Sequence, residues 1–279
     1  MTDLPLSAPV ARLRPPALLN RMFRDAPQFT ALALLITLSL APTVAAMLTD
    51  TRLFQGTGNW VKPVKFQTAL ILYLFTLAAY ARWLPHGLAS RRWFRVYAAV
   101  VCAAIVAELI WIIGAAANGT ASHFNTATPA MALLYSLMGA AAVTLTSASL
   151  VFGIAVARNP ATGLPPAMRA GLSLGLILTF PLTVVVAGYM SSTTGHLVGT
   201  PVTGDMVPLM GWSREVGDLR VAHFLATHAM HLIPLAALAA TLSLPPRAAT
   251  LAAIAAALGF TALVIFTFWQ ALNGQPFLA

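Results

Sequence analysis

Charge is scarce in this chain, and acid scarcer still. Of 279 residues 8% are charged, and only 7 are Asp or Glu against 16 Lys or Arg. Soluble domains carry roughly 25% charged residues, so a soluble globular fold is excluded. A hydrophobic content of 59% excludes a disordered chain. Cysteine is nearly missing: Cys102 is alone, which excludes an intrachain disulfide and a disulfide scaffold. Alternating strand patterns are missing as well, which argues against a β-barrel. What is present is apolar sequence in long runs. The chain reads as an all-α, polytopic membrane protein, because lipid is the solvent for this much apolar surface. In a soluble protein a net charge of +9 would suggest nucleic acid. Here it reads as membrane topology, with the lipid bilayer as partner and no nucleic acid.

A spanning helix needs roughly 20 mostly apolar residues. Seven stretches qualify: Gln28 to Leu48, Val64 to Ala81, Val96 to Ala117, Pro129 to Ala155, Ala170 to Met190, Val221 to Leu242 and Thr250 to Ala271. Residues 1–27 are then a cytoplasmic N-terminal segment, 28–271 a single seven-helix domain, and 272–279 a short tail. Gly171 and Gly175 form a GxxxG pair, and the last two spans are rich in alanine, which suits close helix approach in lipid. Pro181 and Pro234 should kink their helices.

The basic residues divide unevenly between the ends of these spans. Arg12, Arg14, Arg21, Arg24, Arg82, Arg91, Arg92, Arg95, Arg158, Arg169 and Arg247 fall on one side. Arg52, Lys62, Lys65, Arg214 and Arg220 fall on the other. Asp3 and Asp25 lie on the first side, and Asp50, Asp205, Glu215 and Asp218 on the second. The basic excess marks the cytoplasmic face, so the N-terminus is expected inside and the C-terminus outside. An alternative stands beside the first span. Its arginines, the run Thr30 to Ala41 and Pro42-Thr43-Val44-Ala45-Ala46 also resemble a secretory signal, and cleavage there would leave six spans.

The remaining polar residues gather on the outer side. Glu108 is the one acid inside a span, in the outer part of the third, and charge in a bilayer is a functional candidate by default. The plainer reading is a neutral or paired Glu kept for packing. Five of six histidines share that side: His123 in the loop before the fourth helix, His196 past the fifth, and His223, His228 and His231 on the sixth. His86 alone falls on the cytoplasmic side. On an ideal helix His231 lies about 60° from His228 and about 80° from His223, while His223 and His228 are about 140° apart. His228 and His231 can therefore share one ligand or metal, and His223 needs help from other helices to join them. Asp218 and Arg220 precede the triplet. Asp218 can cap the sixth helix, and Arg220 can pair with it or reach an anionic group such as a propionate. Trp60, Lys62 and Lys65 suit interfacial anchoring, or else face an anionic ligand. Asn125 joins them as a candidate cofactor contact.

Three segments together resemble an uncharacterised family of bacterial seven-span integral membrane proteins. They are Asn59-Trp60-Val61-Lys62-Pro63-Val64-Lys65-Phe66, Ser122-His123-Phe124-Asn125, and Gly217-Asp218-Leu219-Arg220-Val221-Ala222-His223-Phe224 followed by His228. That resemblance implies a multi-pass protein of the bacterial inner membrane and brings no activity. The shorter run Val221-Ala222-His223-Phe224 is similar to the haem-ligand helix of haem–copper oxidases. It departs from that pattern at Leu225, where those proteins have a second His, and in the spacing of the Asp.

Three functions compete on these residues. The first is haem b bound for redox or electron transfer. Axial ligands would come from His223, His228 or His231 on one side and His123 or His196 on the other, with a periplasmic or quinone electron partner. Arg220, Lys62 or Lys65 would hold propionates. The second is a metal-dependent membrane hydrolase, with zinc on His223, His228 and His231 and Glu108 as catalytic base. Seven spans and this residue set resemble ceramidase-like hydrolases, but their His pair at i, i+4 is absent. The third is a transporter or sensor without chemistry of its own. Copper handling by Met190, Met206 and Met210 around His196, or proton coupling through Glu108 and the histidines, belongs to that class.

Overall fold

The computed structural model describes residues 15–54 and 56–279, and Asp3, Arg12 and Arg14 lie outside them. Among the described residues seven helices are long and apolar enough to cross a membrane, as in a multi-pass membrane protein, and they form an all-α bundle. They are α2 (Pro27–Thr49), α3 (Val61–Tyr80), α4 (Arg92–Ala117), α5 (Pro129–Ala157), α6 (Pro166–Ser191), α7 (Leu219–Ser243) and α8 (Pro246–Leu272). Each matches one of the seven expected stretches, with ends shifted by no more than a few residues. Proline opens four of them, where its missing N–H costs nothing. Thr128 caps α5 by accepting from Met131 N at 3.2 Å.

One helix is not foreseen by the apolar runs. α1 (Pro15–Asp25) is too short and too basic to span, yet it packs on α2 and α3 and buries Met22. Ala26, with an extended φ of −149°, and Pro27 separate it from α2. The N-terminal segment is therefore partly a member of the bundle.

The ends of the spans are sorted as the charges suggested. At one end α1, the turn after α3 and the α5–α6 connection meet, and Asn159 donates to the Trp83 carbonyl at 2.9 Å. Arg21, Arg24, Arg82, Arg91, Arg92 and Arg95 crowd this basic end. At the other end three loops interlock. Arg52 donates to the Ala117 carbonyl at 3.0 Å, Asn59 to the Ala116 carbonyl at 3.3 Å, and Lys65 to the Met210 carbonyl at 3.1 Å. This is the histidine end. Short antiparallel ladders help fasten it: β1 (Leu53–Phe54) with β2 (Thr57–Gly58), and β3 (Leu197–Val198) with β4 (Gly217–Asp218).

The core runs between α2 and α7 around Phe29, Leu74, Ile105, Phe152, Leu176 and Met230. α6 packs closely on α7, and two glycines allow it. A Cβ on Gly171 would lie 2.2 Å from the Ala237 Cβ, and one on Gly175 would lie 2.9 Å from both the Ala229 carbonyl and the Pro234 ring. The GxxxG pair is thus an α6–α7 contact, as small-residue packing predicts.

Candidate functional site

The site is built on the histidine end, between the start of α3, the end of α4 and the first four turns of α7. At the start of α3, Trp60 donates to Asp50 at 2.7 Å, and Asp50 is paired with Arg52 at 2.7 Å. Those two donors, Arg52 first, hold the Asp50 carboxyl far below the usual carboxylate range. Trp60 is therefore a brace joining α2, α3 and α4. Lys65 is exposed and bound to the Met210 carbonyl. Lys62 points elsewhere. Its ammonium sits 5.8 Å from the Phe66 ring centroid, and among the described residues it forms no ion pair within 4.0 Å. Its charge reaches Glu108, His123 and His196.

Glu108 is 4% exposed, and its Oε1 has no hydrogen-bond partner. It faces inward from α4, as its isolation in an apolar span implied. His123 is held by its loop. The Trp111 indole donates to the Ser122 carbonyl at 2.8 Å, and the Ser122 hydroxyl lies 3.2 Å from His123 Nδ1. Phe124 takes a left-handed φ of 58°, a strained conformation for an aromatic residue, and this turns the loop beside His123. The His123 ring packs against Phe66 and Tyr135. Burial, then the charge of Lys62 and the nearby His223, pushes its pKa down to about 3. Burial, then Arg220, pushes His196 down to about 4. Both rings are neutral at pH 7. Asn125 is spent on its own loop: it donates to the Ala121 carbonyl at 3.2 Å and accepts from Ala127 N at 3.3 Å.

Asp218 and Arg220 organise the entry to α7. Asp218 is 1% exposed and accepts from Ser213 N and Arg220 N, both at 3.0 Å, and from the Arg220 guanidinium. Arg220 also donates to the Gly211 carbonyl. The pair caps the helix and clasps the long α6–α7 loop, so the guanidinium is already committed.

The three α7 histidines separate as their helical angles require. His228 stacks on Phe224, with ring centroids 4.0 Å apart, and lies 5.2 Å from His231. His228 Nδ1 is 2.8 Å from the Phe224 carbonyl, an acceptor only, so Nδ1 carries the proton and Nε2 the free lone pair. His231 is fixed the other way. The Thr76 hydroxyl donates its one proton to the Leu72 carbonyl at 2.7 Å, so its 3.0 Å contact with His231 Nε2 is donated by the ring. The lone pair of His231 is then on Nδ1, which is buried without a partner. These tautomers are assigned from the hydrogen-bond network. His223 Nδ1 is likewise buried and unpartnered.

The structure therefore brings Lys62, Glu108, His123 and His196 within reach of one another's charge, with His223 beside His123, while His228 and His231 stand together deeper on α7. It leaves Trp60, Lys65, Asn125, Asp218 and Arg220 occupied in framing the site. Among the described residues no three His, Cys, Asp or Glu side chains converge as a metal-holding group. Within the site lie four orphaned buried atoms, on Asn59, Glu108, His223 and His231. Each such atom costs about 1–3 kcal/mol when left unpaired. Sequence reasoning passed over Phe66, Thr76 and Tyr80. The last two are polar residues one turn apart inside an apolar run, and that spacing was the available signal. Comparison of the chain with family models, curated proteins and solved structures finds no match.

Proposed function

We propose that the chain is a bacterial inner-membrane redox protein, N-terminus cytoplasmic, that holds haem b in the outer half of the bundle for electron transfer. His123, together with His223 or His228, would hold its iron. The observation that carries this reading is the nearness of His123 in the α4–α5 loop to His223 on α7. Two axial nitrogens suffice for haem, whereas a zinc hydrolase needs three protein ligands. His228 also donates Nδ1–H to a backbone carbonyl, the arrangement that commonly orients a metal-bound histidine. Lys62, half-buried and without an ion pair among the described residues, would meet a propionate. The basic end faces the cytoplasm by the positive-inside rule, which leaves the site toward the periplasm. The electron partner is a periplasmic protein or a membrane quinone.

The test is a reduced-minus-oxidised absorption spectrum of detergent-purified protein, with metal analysis of the same sample. Soret and α bands are expected, lost in His123→Ala and retained in His86→Ala. A featureless spectrum rejects the haem reading, and stoichiometric zinc or copper in that sample replaces it with a metal site.

A further inference from the structure

Pro234 lacks the N–H that would close the helical hydrogen bond onto the Met230 carbonyl. In a membrane such a freed group must find another partner. Here the partner comes from a different helix: the Tyr80 hydroxyl of α3 donates to the Met230 carbonyl at 3.2 Å. The other side of the same residue is also engaged, since Met230 N donates to the Thr179 hydroxyl of α6 at 2.9 Å. One turn before Tyr80 on the same face of α3, Thr76 accepts from His231. Gly175 lets α6 come up against Ala229 and the Pro234 ring behind this turn. The turn of α7 that bears His228 and His231 is thus gripped at Met230 from two sides and at His231 directly.

We infer that Tyr80 and Thr76 are positioning residues: a latch by which α3 sets the place of the α7 turn and the tautomer of His231. In its effect on a cofactor this rests on the haem reading above, but the latch itself is tested without it. α3 and α7 are otherwise loosely joined along this seam, and these two side-chain hydrogen bonds link them. Tyr80→Phe frees the Met230 carbonyl. Thr76→Val removes the acceptor that holds the His231 proton on Nε2.

The experiment uses the full chain in lipid nanodiscs. Amide hydrogen exchange over residues 226–234 is expected to rise roughly threefold to tenfold in Tyr80→Phe, the loss of one hydrogen bond. Tyr73→Phe is the control, because Tyr73 donates to the Leu145 carbonyl of α5 instead. Ring 15N spectra of histidine-labelled protein, assigned with His231→Asn, should show Nε2–H at His231 in the wild type and a mixed tautomer in Thr76→Val. Exchange in Tyr80→Phe no greater than in Tyr73→Phe, or an unchanged His231 tautomer in Thr76→Val, overturns the latch. If the wild type shows no haem bands yet both responses appear, the latch stands and the haem reading falls. If haem is present, Tyr80→Phe should also shift its reduction potential, and an unmoved potential rejects the link between latch and cofactor.

Discussion

The two sides of α7 are joined to their neighbours by opposite means. Toward α6 the contact is made by what is missing: Gly171 and Gly175 have no Cβ, and Ala237, Ala229 and the Pro234 ring fill the space. Toward α3 it is made by what is added: Tyr80 and Thr76 reach across with hydroxyls, and Lys65 bridges to the α6–α7 loop above. The first seam has no room for a ligand. The second carries His231, whose Nδ1 is buried without a partner. A close-packed seam forms a rigid wall, while a seam held by a few hydrogen bonds can hold a guest.

The contrast breaks most sharply at Gly171. Gly171→Leu places side-chain atoms where Ala237 already stands, and overpacking of this kind costs about 1–3 kcal/mol or more. A steep loss of melting temperature in detergent, or failure of the protein to accumulate, is expected. Gly188→Leu, with nothing within 4 Å of its would-be Cβ, should be near neutral in the same assay. A stable Gly171→Leu protein would show that the α6–α7 seam is looser than its geometry.

Asp218→Ala comes next, and it strikes the frame of the open seam. It strands the Arg220 guanidinium and the Ser213 N–H that Asp218 accepts, and breaking a buried pair costs roughly 3–5 kcal/mol. Arg220 is partly exposed, so the expected loss is nearer 2 kcal/mol after solvent screening. Thermal denaturation should show it, together with faster proteolysis of the α6–α7 loop. An unaltered loop would mean that Asp218 serves a ligand rather than the helix cap.

Acid should weaken the histidine end selectively. The pKa values of His123 and His196 lie below the ordinary 6.5, at about 3 and about 4. The unfolded chain therefore binds more protons at those sites between pH 6.5 and 4, and their contribution to stability falls as pH drops through that window. Glu215 acts in a lower range. It accepts from Val202 N, Thr203 and Asp205 N, which hold it down at about 2, so its grip on residues 202–205 is lost only as pH falls from about 4.5 toward 2. The melting temperature should decline from pH 6.5 to 4, less steeply in His123→Gln. Equal slopes in the two proteins would remove His123 from the buried site.

The smallest effect is expected at Lys65→Met. Its bond to Met210 is exposed, and removing it should cost under about 1 kcal/mol. A larger loss would show that the open seam depends on its outer bridge more than on Tyr80 and Thr76.

The spans were legible because a single physical quantity, apolar length, defines them. α1 was not, because a short amphipathic helix earns its place by packing and not by length. Glu108 and the histidines were visible as polar residues that lipid does not tolerate unassisted. Their allocation was hidden. Arg220 was an open candidate until Asp218 and Gly211 were seen to occupy it, and Asn125 until its own loop did. Tyr80 was indistinguishable from an interfacial tyrosine until the Met230 carbonyl appeared beside it.

By itself the sequence determined that this is a helical membrane protein with seven candidate spans, which ends of its helices lie together, and that most of its unusual polar groups fall toward one end. Hydropathy and charge are local properties, additive along the chain, and they suffice for that. Only the tertiary structure decided which polar groups face one another, which nitrogen of His228 and His231 is free, and which side of α7 is sealed. Hydrogen-bond partners and helix spacing depend on residues far apart in sequence, such as Thr76 and His231 or Gly171 and Ala237.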